Sequence, residues 1–253
     1  MTRIYILLIV VLYTSFGCTS ENAPECFRKS GKLIREEIVV EDFSKITVFE
    51  GVKLVVKQET EQRVEIETGE LLRNDVTVEV LDGRLIMRNE SGCNLVRDFG
   101  LTTVYISSPN ISEIRSSTGL LIKSDGVLTY PSLSLLSESY GVPEADTTDG
   151  EFDIEVNNTT VSIVSNGIAY FKIKGATQNF SVNFAAGDSR LEAKELIAND
   201  VNVNHRGSND MLVNPQQSLK GIILGTGDVI SYNVPVIVEV TELYKGRLIF
   251  NND

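Results

Sequence analysis

The sequence predicts an all-β protein, a β-solenoid with coils of about 20 residues, on the strength of three observations. Short runs of alternating apolar and polar residues recur along the chain, as in "KITVFEGVKLVVKQ" and "VTVEVLDGRLIMRN". Such a two-residue period is typical of half-buried strands, and Asp82-Gly83 inside the second run predicts a tight hairpin. Helical periodicity is almost absent, and glycine turns return at nearly constant intervals.

The glycine turns are the observation that separates a solenoid from other all-β folds. After Thr102 they fall at Gly119, Gly141, Gly167, Gly187, Gly207, Gly227 and Gly246. One coil of three short strands and three bends uses about 20 residues, whereas a β-sandwich gives no reason for one turn to recur at a fixed interval. The longest interval contains "GVPEADTTDGE", which we interpret as a polar loop extruded from one coil.

Stacked coils bring equivalent residues of successive strands into ladders about 4.8 Å apart. Aligning three successive turns gives two such ladders: Val182, Val203 and Ile222, and Phe184, His205 and Leu224. A shift of one residue would turn every side chain of a strand to the opposite face.

The N-terminus, "MTRIYILLIVVLYTSFGCTSEN", has the pattern of a secretory signal. A single cation at Arg3 precedes an apolar run that is too short for a comfortable membrane span. The run ends at Gly17-Cys18, and a small residue before a cysteine is typical of a lipoprotein cleavage site. We therefore expect a lipoprotein signal peptide over 1–17, a lipid-anchored tether over 18–40 with Cys18 as the lipidated residue, and the solenoid domain over 41–253. Ordinary secretion with cleavage near Gly17 is the alternative.

The chain has three cysteines. With Cys18 assigned to the lipid, Cys26 and Cys93 remain as a pair in an oxidising compartment, where a disulfide is the expected outcome. Two unpaired thiols are the alternative. Neither case predicts a metal site, because no further Cys or His stands at ligand spacing.

The charge of the chain bears on its partners. The formal net charge is −12 at pH 7, so phosphates would be repelled over most of the surface and no nucleic-acid partner is expected. A few cations follow the proposed anchor: Arg28, Lys29, Lys32 and Arg35. We expect these to face lipid head groups or solvent.

The strand block from "FSKITVFEGVKLVVKQ" to "LDGRLIMR", then "LTTVYISSPNISEI" and turns such as "GTGD", resembles the auto-transporter adhesin, head GIN domain family. The resemblance covers roughly residues 40–250. It implies a single-stranded right-handed β-helix and a place in the cell envelope of Bacteroidetes or their relatives, as an outer-membrane lipoprotein. The adhesion label is an analogy rather than a shared active site. Close copies of the family's usual serine-glycine-aspartate turns occur only at "GTGD" and "AAGD".

Catalytic chemistry finds little support in the residues. The sequence contains no "GxSxG" nucleophile motif with which the one histidine, His205, could form a catalytic triad. We interpret His205 as a core residue. Asp188, Asp210 and Asp228 occupy related turns and are candidate ligands for a calcium ion. Turn capping explains the same residues. No catalytic residue, cofactor or metal is therefore predicted.

We interpret the chain as a non-enzymatic envelope lipoprotein that presents a rigid surface for adhesion to a glycan or protein. Tyr140, Tyr170, Tyr232 and Tyr244 form the candidate ligand face, because aromatic rings on rigid strands can stack on sugars; structural packing is the alternative for them. Two other functions stay open, a glycan-processing β-helix enzyme and a structural envelope module that self-associates into a homo-oligomer.

Overall fold

The computed structural model describes residues 25–95 and 98–251. Within these ranges the chain forms 19 β-strands and two short 3-10 helices. All the strands belong to one mixed sheet that curls into a half-barrel. No helix in the described part of the chain is long and apolar enough to cross a membrane.

The elements of the N-terminal half are η1 (Glu25–Phe27), β1 (Leu33–Ile38), β2 (Lys45–Phe49), β3 (Val52–Gln58), β4 (Arg63–Gly69), η2 (Glu70–Asp75), β5 (Val76–Leu81), β6 (Arg84–Asn89), β7 (Thr102–Ser108), β8 (Glu113–Ser117) and β9 (Leu121–Leu128). Those of the C-terminal half are β10 (Ser132–Ser137), β11 (Glu151–Ser165), β12 (Tyr170–Phe184), β13 (Arg190–Glu192), β14 (Leu196–His205), β15 (Met211–Val213), β16 (Pro215–Ile223), β17 (Val229–Ser231), β18 (Ile237–Glu242) and β19 (Leu248–Phe250).

The prediction of a single-stranded right-handed β-helix over 41–253 is wrong. The pairs β1–β4, β4–β7 and β5–β6 are antiparallel, whereas successive coils of such a helix would pair in parallel throughout. The turn at Asp82 and Gly83 is one physical reason: their φ angles of 51° and 71° are those a tight hairpin requires. The hairpin prediction is confirmed, and this hairpin is one source of the mixed sheet.

Parallel pairing explains the spacing of the glycine turns. Glu151 of β11 pairs with Tyr170 of β12, Gly175 of β12 with Leu196 of β14, and Asp200 of β14 with Ser218 of β16. The intervals between these partners are therefore 19, 21 and 18 residues. The repeat is real, but it lacks the constant length that the predicted coils assumed.

The variation in interval moves the third member of each predicted ladder by one residue. Val182 pairs with Val203 as predicted, but Val203 then pairs with Gly221 instead of Ile222. In the same way, Phe184 pairs with His205, which pairs with Ile223 instead of Leu224. The two ladders are thus correct for their first two members and wrong for the last.

The parallel and antiparallel pairs form a long strand series, in which each strand is hydrogen-bonded to the next. Its order is β5, β6, β2, β8, β10, β11, β12, β14, β16 and β18. Alternate residues point into a core whose centre is aromatic: the Phe152 and Phe171 rings stack with centroids 4.8 Å apart, and Phe184 follows at 6.0 Å from Phe171. Offset and tilted aromatic pairs add to the stability that burial alone supplies.

The sheet begins before residue 41. Strand β1 lies within 18–40, the stretch predicted to be a tether, and pairs antiparallel with β4. Just before it, a disulfide joins Cys26 to Cys93, and the Leu95 backbone N–H donates to the Cys26 carbonyl at 3.0 Å. The predicted signal peptide and Cys18 lie outside the described residues.

Candidate functional site

A groove of about 380 Å³ crosses the outer surface of β12, β14 and β16. We call it the polar groove. Its polar side chains are Asn179, Ser181, Asp200, Asn202, Ser218 and Lys220, and Phe180 and Val201 complete the lining. Three adjacent strands therefore contribute two polar side chains each.

Strand alternation places these side chains together. Phe180, Val201 and Leu219 point into the core and are buried, so the residues on either side of each point outward. The register then aligns Asn179 with Asp200 and Ser218, and Ser181 with Asn202 and Lys220.

A β-bulge shapes the C-terminal side of the groove. Between the pairs Ala198–Pro215 and Asp200–Ser218, a single residue of β14 faces two residues of β16. Bulges bend a strand and re-aim its side chains, and they are frequent beside functional sites. Here Ser218 is only 5% exposed and its hydroxyl donates to the Asp200 carboxylate at 2.5 Å.

The groove contains one positive and one negative side chain, and each already interacts with a neighbouring side chain. The Lys220 ammonium lies 3.0 Å from the Glu239 carboxylate, and Asp200 accepts the Ser218 hydroxyl. Ser181 and Asn202 are exposed, and their side chains have no hydrogen-bond partner among the described residues. The groove therefore offers a hydroxyl and an amide to an outside ligand in a nearly neutral setting.

The polar character continues on the neighbouring strands toward the N-terminal part of the series. Thr160 of β11 pairs with Asn179, and Ser162 pairs with Ser181. The Ser162 hydroxyl lies 2.8 Å from that of Ser134 in β10. A ligand longer than the groove would thus meet further uncharged hydroxyl groups along the sheet.

The four tyrosines predicted to form a ligand face lie on four separate segments. Tyr140 is in the loop after β10, Tyr232 follows β17, and Tyr244 lies between β18 and β19. Tyr170 begins β12 and donates its hydroxyl to the Glu192 carboxylate. This hydrogen bond, together with burial, raises the pKa of Tyr170 to about 12. None of the four lines the polar groove.

The three aspartates considered for calcium are engaged in turn hydrogen bonds. Asp188 accepts the Ser208 hydroxyl, Asp210 accepts the Asp228 backbone N–H at 2.9 Å, and Asp228 accepts the Arg247 N–H at 2.7 Å. No group of three or more His, Cys, Asp or Glu side chains within 25–95 and 98–251 is arranged to hold a metal ion. These bonds agree with the turn-capping interpretation of the aspartates.

His205 lies in the core. Its side chain is fully buried, and its ring is edge-on to Phe184 at 6.0 Å. Burial lowers the pKa of His205, which favours the neutral ring. A histidine in this setting is a packing residue with no access to a ligand in the groove.

No motif in the sequence predicts the polar groove. Its residues are serine, asparagine, aspartate and lysine at outward positions of ordinary strands, where a solvated face would have the same composition. A signal was present in "FSVNF" and "DVNVNH", since every outward position of these runs is polar and all but Asp200 are uncharged. The bulge that opens the groove has no comparable signal.

Solved structures with the same fold come from Bacteroides and Parabacteroides species. A putative adhesin from Bacteroides fragilis NCTC 9343 matches with a TM-score of 0.77 at 21% identity, over 88% of this chain and 99% of that chain. A putative lipid binding protein from Parabacteroides distasonis ATCC 8503 matches with a TM-score of 0.63 at 14% identity, over 88% and 98%. A putative adhesin from Parabacteroides merdae ATCC 43184 gives 0.54 at 19% identity, again over 88% and 98%.

A search of the curated proteins found no match. The family model described as "putative auto-transporter adhesin, head GIN domain" matches residues 42–235, in agreement with the resemblance seen in the sequence. Since this match covers most of the chain, the protein belongs to the auto-transporter adhesin, head GIN domain family.

Proposed function

We propose that this protein is a non-enzymatic binding protein of the cell envelope that holds a surface ligand in the polar groove. The observation that carries the proposal is the pair Ser181 and Asn202, exposed on adjacent strands without hydrogen-bond partners among the described residues. A sheet presents such groups at fixed spacing and with little loss of conformational entropy on binding. Membership of an adhesin family supports a binding role of this kind.

The ligand we propose is a neutral glycan. Its hydroxyl groups both donate and accept hydrogen bonds, as the Asn202 amide and the Ser181 hydroxyl also do. Asp200 and Lys220 line the same site, and beyond their contacts with Ser218 and Glu239 the carboxylate can accept and the ammonium can donate further hydrogen bonds. Exposed tyrosines such as Tyr140 and Tyr244 remain candidates for stacking on a sugar outside the groove.

For the location, we propose that residues 1–17 are a lipoprotein signal peptide and that Cys18 is lipidated in the outer membrane. Cys26 lies eight positions after Cys18, and an extended segment of that length spans at most about 30 Å. The disulfide at Cys26 would therefore lie within about 30 Å of the bilayer.

Self-association is a second candidate, because the last strands have unpaired edges. β18 pairs only with β16 and β19 only with β17 among the described residues. Large apolar side chains are exposed there, including Val236, Leu243 and Tyr244. Open edges of this kind pair readily with another chain.

The test of the proposed function is a glycan-array screen of the chain lacking residues 1–18. It is run with calcium and with chelator, and released sugar is measured in the same wells. We expect saturable retention without sugar release. Light scattering of the same sample reports self-association separately.

Two variants connect retention to the groove. Ser181→Ala with Asn202→Ala removes two hydrogen-bonding groups and should weaken retention about tenfold, whereas Asn157→Ala, at an exposed position of β11 outside the groove, should leave it unchanged. Sugar release would contradict the non-enzymatic proposal. Equal retention by the double variant and the parent would contradict the proposal that the ligand binds in the groove.

A further inference from the structure

The core is open where the long strand series ends at β18. An inward ladder runs through four successive strands, each member pairs with the next, and none is more than 2% exposed: Val161, Phe180, Val201 and Leu219. Val238 of β18 continues this ladder, yet it is 42% exposed. Its exposure arises because no further strand of the described chain pairs with β18.

Other large apolar side chains are exposed beside Val238. They lie between residues 234 and 249: Val234, Val236, Ile237, Leu243, Tyr244 and Ile249. We call residues 234–250 the open end. Apolar residues exposed singly need no explanation, but a cluster of them on adjoining strands marks an interaction surface.

The charges of the open end favour a second copy of the same chain as the occupant. Its two acidic residues, Glu239 and Glu242, are balanced by Lys245 and Arg247, so its net charge is zero in a chain whose net charge is −12. Two copies repel each other over most of their surfaces. That repulsion is smallest where two open ends meet, and a second open end also supplies the apolar residues that would extend the ladder.

The backbone of β18 offers hydrogen-bonding groups to such a partner. The Leu243 N–H donates to the Ile223 carbonyl at 2.8 Å, so Thr241, Glu239 and Ile237 also turn their backbone groups toward β16. The residues between them turn theirs to the free side: Val238, Val240 and Glu242. An edge of this kind pairs readily with another strand.

From these observations we infer that two copies of the chain pair through β18, antiparallel to each other and related by a two-fold axis at Val240. The inference deepens the self-association candidate raised under the proposed function and rests on the same open edge. A two-fold axis uses the same surface on both copies and closes the assembly as a dimer.

The register at Val240 follows from hydrogen bonds and charge. It places Val240 opposite Val240 and Val238 opposite Glu242 of the second copy, so all three residues that face the free side are hydrogen-bonded. An axis at Glu239 would instead set two Glu239 carboxylates opposite each other, which is unfavourable. The Glu242 carboxylate already accepts the Leu248 N–H at 2.8 Å and lies 3.6 Å from the Arg247 guanidinium, so its charge is compensated within its own copy.

The dimer would carry two polar grooves on one continuous face. The two-fold axis stands perpendicular to the joined sheet, so the outward faces of both copies lie on the same side. From β14 of one copy to β14 of the other there are five strand-to-strand steps, or about 24 Å at about 4.8 Å a step. Two sites at this distance would bind a surface ligand with avidity.

The test is sedimentation equilibrium of the chain lacking residues 1–18 over a range of concentrations, where we expect a monomer–dimer equilibrium. Val240→Pro removes the N–H that each copy presents at the axis, and this N–H points away from β16, so pairing within the copy is kept. The dissociation constant of the dimer should rise at least about tenfold. Urea unfolding of the variant confirms that it still folds.

A charge exchange tests the register. Thr241 lies opposite Glu239 of the second copy, and the axis creates this pair twice. Thr241→Lys should therefore tighten the dimer about fivefold, and Thr241→Glu should weaken it by a similar factor. The matched controls are Asn157→Lys and Asn157→Glu, which make the same charge changes at an exposed position of β11 and should have much smaller effects.

A chain that stays monomeric at every concentration would overturn the inference, as would a dimer that Val240→Pro leaves intact. Equal effects of Thr241→Lys and Asn157→Lys would contradict the register. Species that keep growing with concentration would show pairing with a different edge of the next copy and would exclude the two-fold dimer.

The dimer and the proposed groove can fail separately. Sedimentation needs no ligand, so the absence of glycan retention by any variant would contradict the groove alone. If both hold, Val240→Pro should bind a soluble glycan as the parent does but be retained less on an array, because it has lost the second site. Equal retention of the parent and Val240→Pro would contradict the bivalent arrangement.

Discussion

Replacing Gly221 with alanine should disrupt the pairing of β14 with β16, which supports the polar groove. Gly221 lies between Lys220 of the groove and Ile222, and it pairs with Val203. Its φ is +137°, and a Cβ atom built there would stand 1.9 Å from the Val203 carbonyl oxygen and 2.8 Å from its carbon. No side-chain rotation can relieve this contact, because both atoms belong to the backbone.

The size of the effect follows from two contributions. A backbone conformation that side chains rarely adopt costs about 1–3 kcal/mol, and forcing extra volume into a packed structure costs about 1–3 kcal/mol more. We therefore expect Gly221→Ala to lower the free energy of unfolding by about 4 kcal/mol, a large share of the 5–15 kcal/mol that is usual for folded proteins.

The assay is equilibrium unfolding in urea, with Gly83→Ala as the matched control. Gly83 also has a positive φ, +71°, but a Cβ atom there meets nothing within 4 Å. Only the conformational cost remains, about 1–2 kcal/mol. If Gly221→Ala is no more destabilising than Gly83→Ala, the register between β14 and β16 is wrong.

Three further predictions concern stability. Cys26→Ser with Cys93→Ser removes a link across 67 residues and should cost about 4 kcal/mol, read from thermal unfolding against the parent. Burial opposes ionisation of Glu138, but the buried ion pair with Arg115 at 2.7 Å and two backbone N–H groups lower its pKa. Glu138→Gln should therefore cost about 3 kcal/mol at pH 7, and the deficit should shrink as pH falls through the depressed pKa; a deficit independent of pH would contradict this. Burial lowers the pKa of His205 from 6.5. The folded state is therefore most stable above that pH, where the ring is neutral in both states, and it loses stability as the pH falls below 6.5. In urea unfolding at pH 7 and pH 5, His205→Leu should lose less stability in acid than the parent does, and equal losses would refute the assignment.

Local patterns in the sequence predicted local structure well. The alternating runs became strands, and Asp82-Gly83 became the hairpin between β5 and β6. The run "LEAKELIA", which resembles a helix, forms β13 and the start of β14, because pairing with neighbouring strands outweighs a weak helical propensity. The near-constant glycine spacing correctly indicated strands that pair one repeat apart.

What the sequence could not supply was strand direction and exact register. Nothing in "RVEIETG" indicates that β4 runs antiparallel to both β1 and β7. The interval from Val203 to its partner in β16 is 18 residues instead of the expected 19, which places Gly221 in the ladder in place of Ile222. A bulge in β16 also helps to shape the groove. The candidate site was missed for this reason: it depends on a register between three strands and on no motif within any of them.

Hydrogen exchange tests most directly whether the polar groove holds the ligand. Exchange of the chain lacking residues 1–18 is measured with and without a glycan retained in the array screen. We predict slower exchange on binding in residues 179–181, 200–202 and 218–220, with little change elsewhere. Protection confined to another surface, such as the loop around Tyr140, with no change in the three groove segments, would contradict the account.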